Sequence, residues 1–360
     1  MTRYVSIFVW TAIGICAVAV LIIMLMFLYN ASKVISIKRL EYKRYFSEDG
    51  IYEGEQLYLV EELSNHSFVP MFHVDVQSHV TSKIKLEGCS QEDEMNQHFI
   101  SRFTIMPFTT VKRSHKAIGK KRGFYQLETA KVVFAGMDLY LESKASLHVF
   151  PQELAIKEKQ HMNRYLQYDT PTKLPVIEDP FSFTGIREYY PGAPLSAINF
   201  KASAKRGQLM VNSKEYLLGR QIQLYVNFQM PEKGVHLEMF ERVMEKALQY
   251  VSYMVGEAVG KGYRIGFSTN SRMANGTRFL RYPMNTGMVH YRELLKELAM
   301  IRIVSGNSFV SVIDMDIAKN ITASDIYLFT MYLDESIDSR IEILKRMGNE
   351  VTVIWLEEMV

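Results

Sequence analysis

The sequence predicts an α/β protein with an added all-β domain, preceded by one membrane-spanning helix. Three observations carry that expectation. A charge-free run opens the chain, short strand-like runs bounded by turn residues follow it, and the last part alternates apolar strands with apolar positions at helical spacing. The chain has 360 residues, room for two ordinary domains and an appendage. A composition of 48% hydrophobic and 22% charged residues excludes a disordered or collagen-like chain. Lys and Arg total 42 against 39 Asp and Glu, and the resulting +3 is too small a surplus to make nucleic acid the partner. The 2 cysteines, Cys16 and Cys89, exclude a disulfide framework and a Cys-rich zinc site.

From Tyr4 to Tyr29 no residue is charged. At about 1.5 Å per residue this stretch exceeds a hydrocarbon layer of roughly 30 Å, so it crosses once with some tilt and is too short to cross twice. Residues 1–30 are therefore assigned as a transmembrane anchor. A cleaved signal peptide fits less well, because its apolar region runs about 7–15 residues and no clear Ala-x-Ala site follows here. Arg3 stands alone before the segment, whereas Lys33, Lys38, Arg39, Lys43 and Arg44 follow it. The positive-inside rule makes this a single-pass protein of the cell membrane whose later domains are cytoplasmic. The basic cluster then lies against anionic headgroups, which makes membrane lipid a partner. The sequons at Asn30, Asn65, Asn275 and Asn320 fall in a compartment that does not glycosylate them.

Residues 31–151 read as a β-sandwich domain. Ile51 to Val60 predicts a strand, and His73 to Val76, Phe99 to Phe103 and Leu147 to Phe150 alternate. Ser64 to Ser67, Pro70, Gly88 and Pro107 break the runs, and no clear 3.6-residue stripe intervenes. Several short strands at this spacing predict an immunoglobulin-like sandwich. Residues 221–360 read as α/β. Strands are expected at Ile222 to Phe228, Tyr263 to Ser268, Ile326 to Leu333 and Val351 to Leu356. A helix carries Phe240, Val243, Met244, Ala247, Leu248, Val251, Met254 and Val255 on one face, and Gly260 and Gly262 stop it. Two further helices carry Leu294, Leu295, Leu298 and Ile301, and Ile337, Ile341, Leu344 and Met347. Alternation of this kind predicts a mostly parallel sheet covered on both faces, with the Met and aromatic stripes as its core.

Residues 152–220 read as a polar connecting segment with one distinctive run. Gly185-Ile186-Arg187-Glu188-Tyr189-Tyr190-Pro191-Gly192 leads to Ile198-Asn199-Phe200-Lys201-Ala202-Ser203-Ala204-Lys205 and Leu209-Met210-Val211-Asn212. Pro191-Gly192 is a turn in which Pro sets one φ and Gly accepts a positive one. This pattern resembles the family known as domain of unknown function 58, with its Arg-x-Tyr-x-Pro-Gly-Asp, Arg-x-Ile-x-Trp and Ser-Ala runs. Weaker matches lie at Arg122-Gly123-Phe124-Tyr125 and Val149-Phe150-Pro151, and the order of anchor, β domain, motif and α/β domain is the family's own. Ala193, Ser196 and Phe200 stand where the family carries Asp, Arg and Trp, and one membrane helix stands where it usually has two. The resemblance implies that Arg187, Glu188, Tyr189, Pro191, Gly192 and Ser203 form a structural seam or a docking surface.

The resemblance also implies a von Willebrand factor A-like (Rossmann-like) fold for the last domain, whose strand tips often hold a divalent cation through an Asp-x-Ser-x-Ser run. Hard cations require oxygen donors with a carboxylate to offset their charge. Here the matching positions read Asn227-Phe228-Gln229-Met230-Pro231, so Asn227 and Gln229 are degenerate metal-site positions and no metal is expected. Asp334 alone does not make a site. Gly256 to Lys261 falls one residue short of a phosphate loop and reads as a helix end. The histidines form no zinc pair, Ser82 and Lys85 lack companion motifs, and the basic stretch Lys112 to Arg122 reads as a solvated hairpin. No catalytic residue and no cofactor emerge. The resemblance implies a membrane-tethered adapter that is not an enzyme, with a MoxR-type AAA+ ATPase and a transglutaminase-like membrane protein as partners. The alternatives are a cryptic envelope-associated hydrolase and a divalent-cation-dependent ligand-binding module.

Overall fold

The computed structural model describes residues 2–91, 96–167, 177–189, 198–217, 220–231 and 235–356. It is a mixed α/β protein with a strand-rich region and one N-terminal apolar helix. The chain divides into two compact units, Met1–Gln152 and Glu153–Val360.

The first unit opens with α1 (Thr2–Lys38), whose stretch Gly14–Lys38 is long and apolar enough to cross a membrane. The helix outlasts the charge-free run, because Val34, Ile35 and Ile37 continue its apolar character beyond Lys33. Gly14 to Leu28 stand exposed, whereas Ser36 and Ile37 are buried. Ten strands follow: β1 (Leu40–Phe46), β2 (Gly50–Tyr52), β3 (Gln56–Asn65), β4 (Met71–Thr81), β5 (Ile84–Leu86), β6 (Ser90–Gln91), β7 (Asn96–Ile105), β8 (Thr110–Gly119), β9 (Gly123–Phe134) and β10 (Met137–Phe150). They form a four-stranded sheet, β1-β3-β8-β5, and a six-stranded sheet, β2-β10-β9-β4-β7-β6.

Side chains of both sheets share their cores. Phe46, Leu57, Leu59 and Ala117 of the smaller sheet pack with Val80, Phe99, Leu147 and Val149 of the larger. A second cluster joins Ile37, at the end of α1, to Leu40, Leu63, Val74, Phe103 and Val132. In β1 every second residue points inward, so Leu40, Tyr42, Arg44 and Phe46 are buried and the intervening residues are exposed.

Two expectations need correction here. Ile51 to Val60 is not one strand: Gly54, at φ +93°, turns the chain between β2 and β3, which belong to different sheets. Lys112 to Arg122 is not a hairpin, because β8 and β9 also belong to different sheets and the chain crosses between them. The basic stretch therefore runs along a strand. Lys112 pairs with Glu62 at 3.0 Å, Arg113 lies 4.8 Å from the Phe103 ring centroid, and Arg122 at the far end is buried.

The second unit holds α2 (Ile156–Gln167), β11 (Ile177–Glu188), α3 (Phe200–Arg206), β12 (Met210–Leu217), β13 (Gln221–Val226), α4 (Leu237–Gly260), β14 (Arg264–Thr269) and β15 (Ser271–Met273). It continues with β16 (Leu280–Asn285), α5 (Met288–Met300), β17 (Ile301–Ser305), α6 (Phe309–Ala318), β18 (Asp325–Thr330), α7 (Glu335–Arg346) and β19 (Glu350–Trp355). The main sheet is β16-β14-β13-β18-β19, parallel except for β16 at its edge. All of β18 is buried, as its continuous apolar run predicts. Helices cover both faces. α6 and α7 pack on Tyr225, Ile326 and Leu328. On the other face Tyr250 of α4 stacks on Phe329, and the Tyr327 hydroxyl donates to the Tyr165 carbonyl of α2 at 2.6 Å.

Residues 152–220, read from the sequence as a connecting segment, contain α2, α3 and the β11–β12 pair. Arg220 ties α2 to the sheet. It pairs with Asp325, donates to the Leu166 carbonyl at 2.8 Å and reaches the Tyr327 hydroxyl at 3.1 Å. Burial works against the Arg220 charge, but Asp325 and Tyr327 outweigh it and raise its pKa.

Candidate functional site

Open α/β sheets take ligands beyond the carboxyl ends of their strands, where the strand order reverses. That reversal lies between β13 and β18, because the chain passes from β13 to β14 on one side and later returns to β18 on the other. The crest there is built from Asn227, Phe228 and Gln229 after β13, Asn270 after β14, Ser271 at the start of β15, Thr330 at the end of β18 and Met331 to Asp334 beyond it. Asn227, Asn270, Ser271 and Thr330 are completely buried.

The crest polar groups bond one another. Asn227 Nδ2 donates to Thr330 Oγ1 at 3.2 Å and to the Tyr332 carbonyl at 3.1 Å. Its Oδ1 accepts the Gln229 amide hydrogen at 3.0 Å. Thr330 Oγ1 donates to the Tyr332 carbonyl at 2.6 Å and accepts the Tyr332 amide hydrogen at 3.0 Å. Asn270 Oδ1 accepts from the Phe228 amide at 2.8 Å, and its Nδ2 donates to the Asn307 carbonyl at 3.1 Å. Asp334 faces the backbone instead: it caps α7 by accepting from the Ile337 amide at 2.8 Å. Among the described residues no group of three or more His, Cys, Asp or Glu could hold a metal ion. One buried acceptor among the described residues, Gln229 Oε1, has no hydrogen-bond partner.

The donor set decides what the crest can do. Two of Asn227's bonds come from its amide nitrogen, which cannot coordinate a cation while donating, and its one oxygen is held by Gln229. Replacing Asn227 with Asp puts a buried carboxylate beside the Tyr332 carbonyl. The expected result in metal-free buffer is a loss of roughly 2–4 kcal/mol of stability. Thermal unfolding checks it: the variant should melt below the wild-type chain, and an unchanged melting temperature would show that the crest tolerates the charge.

The motif run is placed in part. Arg187 and Glu188 end β11, in register with Val211 and Met210 of β12, and the Tyr189 amide donates to the Leu209 carbonyl at 2.9 Å. Pro191 and Gly192 lie outside the described residues. Ser203, on α3, donates from Oγ to the Asn199 carbonyl at 2.8 Å and accepts the Met210 amide hydrogen at 2.8 Å. Its hydroxyl therefore staples α3 to β12. Asn199 caps the same helix, and Gly207, at φ +71°, ends it. Phe200, the first residue of α3, is exposed.

Sequence reasoning did not find two buried polar clusters. In the first unit Glu61 accepts from the Tyr42 hydroxyl at 2.6 Å and meets His115 Nε2 at 3.0 Å. Arg44, opposite Glu61 in register, donates to the Ser143 and Thr129 carbonyls and to Ser78 Oγ. Burial raises the Tyr42 pKa, Glu61 adds to the shift, and burial lowers that of Arg44. Ser101 Oγ also lies 3.5 Å from His115 Nε2, the nitrogen that meets Glu61. A nucleophile relay needs serine and carboxylate on opposite imidazole nitrogens, so these residues do not form one. In the second unit Asp316 binds Tyr225, Ser268 and Arg281. No local motif signals either cluster, because the partners are far apart in sequence.

No protein-family description and no curated protein matches the chain. Solved structures resemble it over about a third of its length. The CARDB domain of a Pyrococcus furiosus protein shares 10% identity, covering 31% of this chain and 94% of that domain at a TM-score of 0.23. The cupredoxin domain of amoB from Nitrosocaldus yellowstonii shares 13%, covering 32% and 88% at 0.22. The seventh ScaB type I cohesin from Pseudobacteroides cellulosolvens shares 9%, covering 32% and 95% at 0.21.

Proposed function

We propose that this chain is a membrane-tethered interaction protein, an adapter that performs no chemistry of its own. In this reading α1 crosses the cell membrane once and the units that follow are cytoplasmic, as the Lys and Arg residues after the span imply. The first unit is immunoglobulin-like. The second is a von Willebrand A-like module that binds through shape and hydrogen bonds rather than through a cation. One observation carries the reading: the strand-order reversal is filled by Asn227 and Thr330 bonding each other, neutral groups where a dication would need an anionic donor. Exposed Met230, Leu237 and Met239 stand at the same end of the sheet and offer apolar contact area to a protein partner.

The partner of choice is a MoxR-type AAA+ ATPase, with a transglutaminase-like membrane protein in the same assembly, as the resemblance to the domain of unknown function 58 family implies. Co-purification tests it. The detergent-solubilised full chain should retain a MoxR-type ATPase in at least one nucleotide state, and a Met230→Asp/Leu237→Asp variant should retain less. No association with ATP, with ADP or without nucleotide would overturn the ATPase assignment.

A further inference from the structure

Strand register sets two loops of the first unit beside the end of α1. Leu40 of β1 faces Asn65 of β3, and Ser64 of β3 faces Thr110 of β8. The β3–β4 connection, residues 66–70, and the β7–β8 connection, residues 106–109, therefore both extend past the first residue of β1, on the side from which α1 arrives. Hydrogen bonds hold them there. The His66 amide donates to the Arg39 carbonyl at 3.1 Å, and the Asn65 amide to the Thr109 carbonyl at 3.0 Å. Asn65 Nδ2 donates to the Val69 and Met106 carbonyls, at 2.9 and 3.2 Å, which ties the two loops together.

This braced pair of loops presents large apolar side chains to solvent. Phe68 is 78% exposed, Phe108 59%, Phe72 52% and Met106 51%. Phe68 and Phe108 meet edge to face with centroids 4.7 Å apart. Phe108 holds φ at +53°, a left-handed conformation that costs a bulky residue on the order of 1 kcal/mol. Val34 and Ile35, in the turn of α1 before its buried end, are exposed as well. Exposed Lys38 and Arg39 flank them.

We propose that residues 66–72 and 106–109 form a foot that docks onto the lipid surface of the bilayer α1 crosses, with Phe68 and Phe108 entering the headgroup–acyl boundary. The proposal rests on the reading of α1 as a spanning segment. Lipid is the occupant that proximity to α1 selects: the loop at His66 bonds Arg39, the residue that follows the helix, and the cationic flank of Lys38 and Arg39 matches anionic headgroups. Aromatic side chains in such a boundary sit ~5–10 Å deep.

Tryptophan fluorescence in nanodiscs of phosphatidylcholine and phosphatidylglycerol, with and without acyl-chain bromination, tests the proposal on the full chain. The native tryptophans are Trp10 and Trp355. A Phe68→Trp reporter is placed in a Trp10→Phe/Trp355→Phe background, with a Tyr58→Trp reporter as reference, because Tyr58 is exposed toward the other end of β3. Brominated lipid should quench the reporter at position 68 about threefold more than that at position 58, with blue-shifted emission. Equal quenching at the two positions, while Trp10 in a Trp355→Phe chain is strongly quenched, overturns the foot and leaves the span intact. An unquenched Trp10 overturns the span and the foot with it. A reporter at position 68 shielded from iodide but untouched by brominated lipid places protein on this surface, a second copy or a partner, and also overturns the proposal.

Discussion

Replacing Asp316 with alanine is expected to lower the unfolding free energy of the second unit by about 3–5 kcal/mol, the cost of leaving a buried partner uncompensated. Asp316 is 1% exposed and joins α6 to three strands. It accepts from Arg281 of β16, from the Tyr225 hydroxyl of β13 at 2.6 Å and from Ser268 of β14 at 3.3 Å. Burial, and then Asp316 itself, raises the Tyr225 pKa, which keeps that hydroxyl protonated and donating. Asp316→Ala strands a guanidinium and a phenol against an apolar core. Tyr225→Phe removes one donor and should cost only about 1 kcal/mol. Hydrogen exchange of the β13 and β14 amides separates the two. Wild-type protection in Asp316→Ala would show that the pair with Arg281 contributes nothing to holding the sheet.

The second large effect is expected in the strand-rich unit. Glu61→Ala should cost about 3–5 kcal/mol, because it removes the acceptor of Tyr42 and His115 and the anion opposite Arg44. Glu61→Gln keeps an acceptor for Tyr42 and should cost about 1–2 kcal/mol, so that loss measures the charge and the further loss in Glu61→Ala measures the hydrogen bonding. Exchange of the β3 and β8 amides is again the readout, since Glu61 and His115 bridge those strands. Equal losses in both variants would assign the whole effect to the charge.

Helices with a one-sided stripe were legible from spacing, although Ile301, expected on the second helix, opens β17, and Met347, expected on the third, lies just past α7. Phe240, Val243, Met244, Ala247, Leu248, Val251, Met254 and Val255 are all buried on α4. α6 escaped because Phe309 to Ala318 is short and apolar on most sides, which leaves no period to read. β16 escaped because Pro283 interrupts it. The structure accommodates that proline at a sheet edge, where the register against β14 slips between Ile265 and Phe267. Gly266 fits this slip closely, since a Cβ there would lie 2.4 Å from Gln223 Oε1 and 3.3 Å from the Met284 amide nitrogen. Strand runs such as Phe99 to Phe103 and Leu147 to Phe150 were legible from alternation, but their division between two sheets was not. Local sequence fixes which face a residue points to, and says nothing about which distant strand lies alongside.

The candidate site was legible in residue type and not in geometry. Asn227 and Gln229 stand out as neutral residues at a strand tip. That the Asn227 amide turns toward Thr330 and Tyr332 depends on contacts about a hundred positions away. Glu61 with His115, and Asp316 with Tyr225, are invisible to spacing for the same reason. Such pairs leave a sequence trace only where both partners share one element.

Ser36 and Ile37, the last turn of α1, lie inside the packing of the strand-rich unit, and β1 begins at Leu40. Only Arg39 separates α1 from β1, and the end of the helix is packed in the unit's core. If α1 spans a bilayer, a tilt imposed on it by membrane thickness would be passed to the strand-rich unit across that single residue.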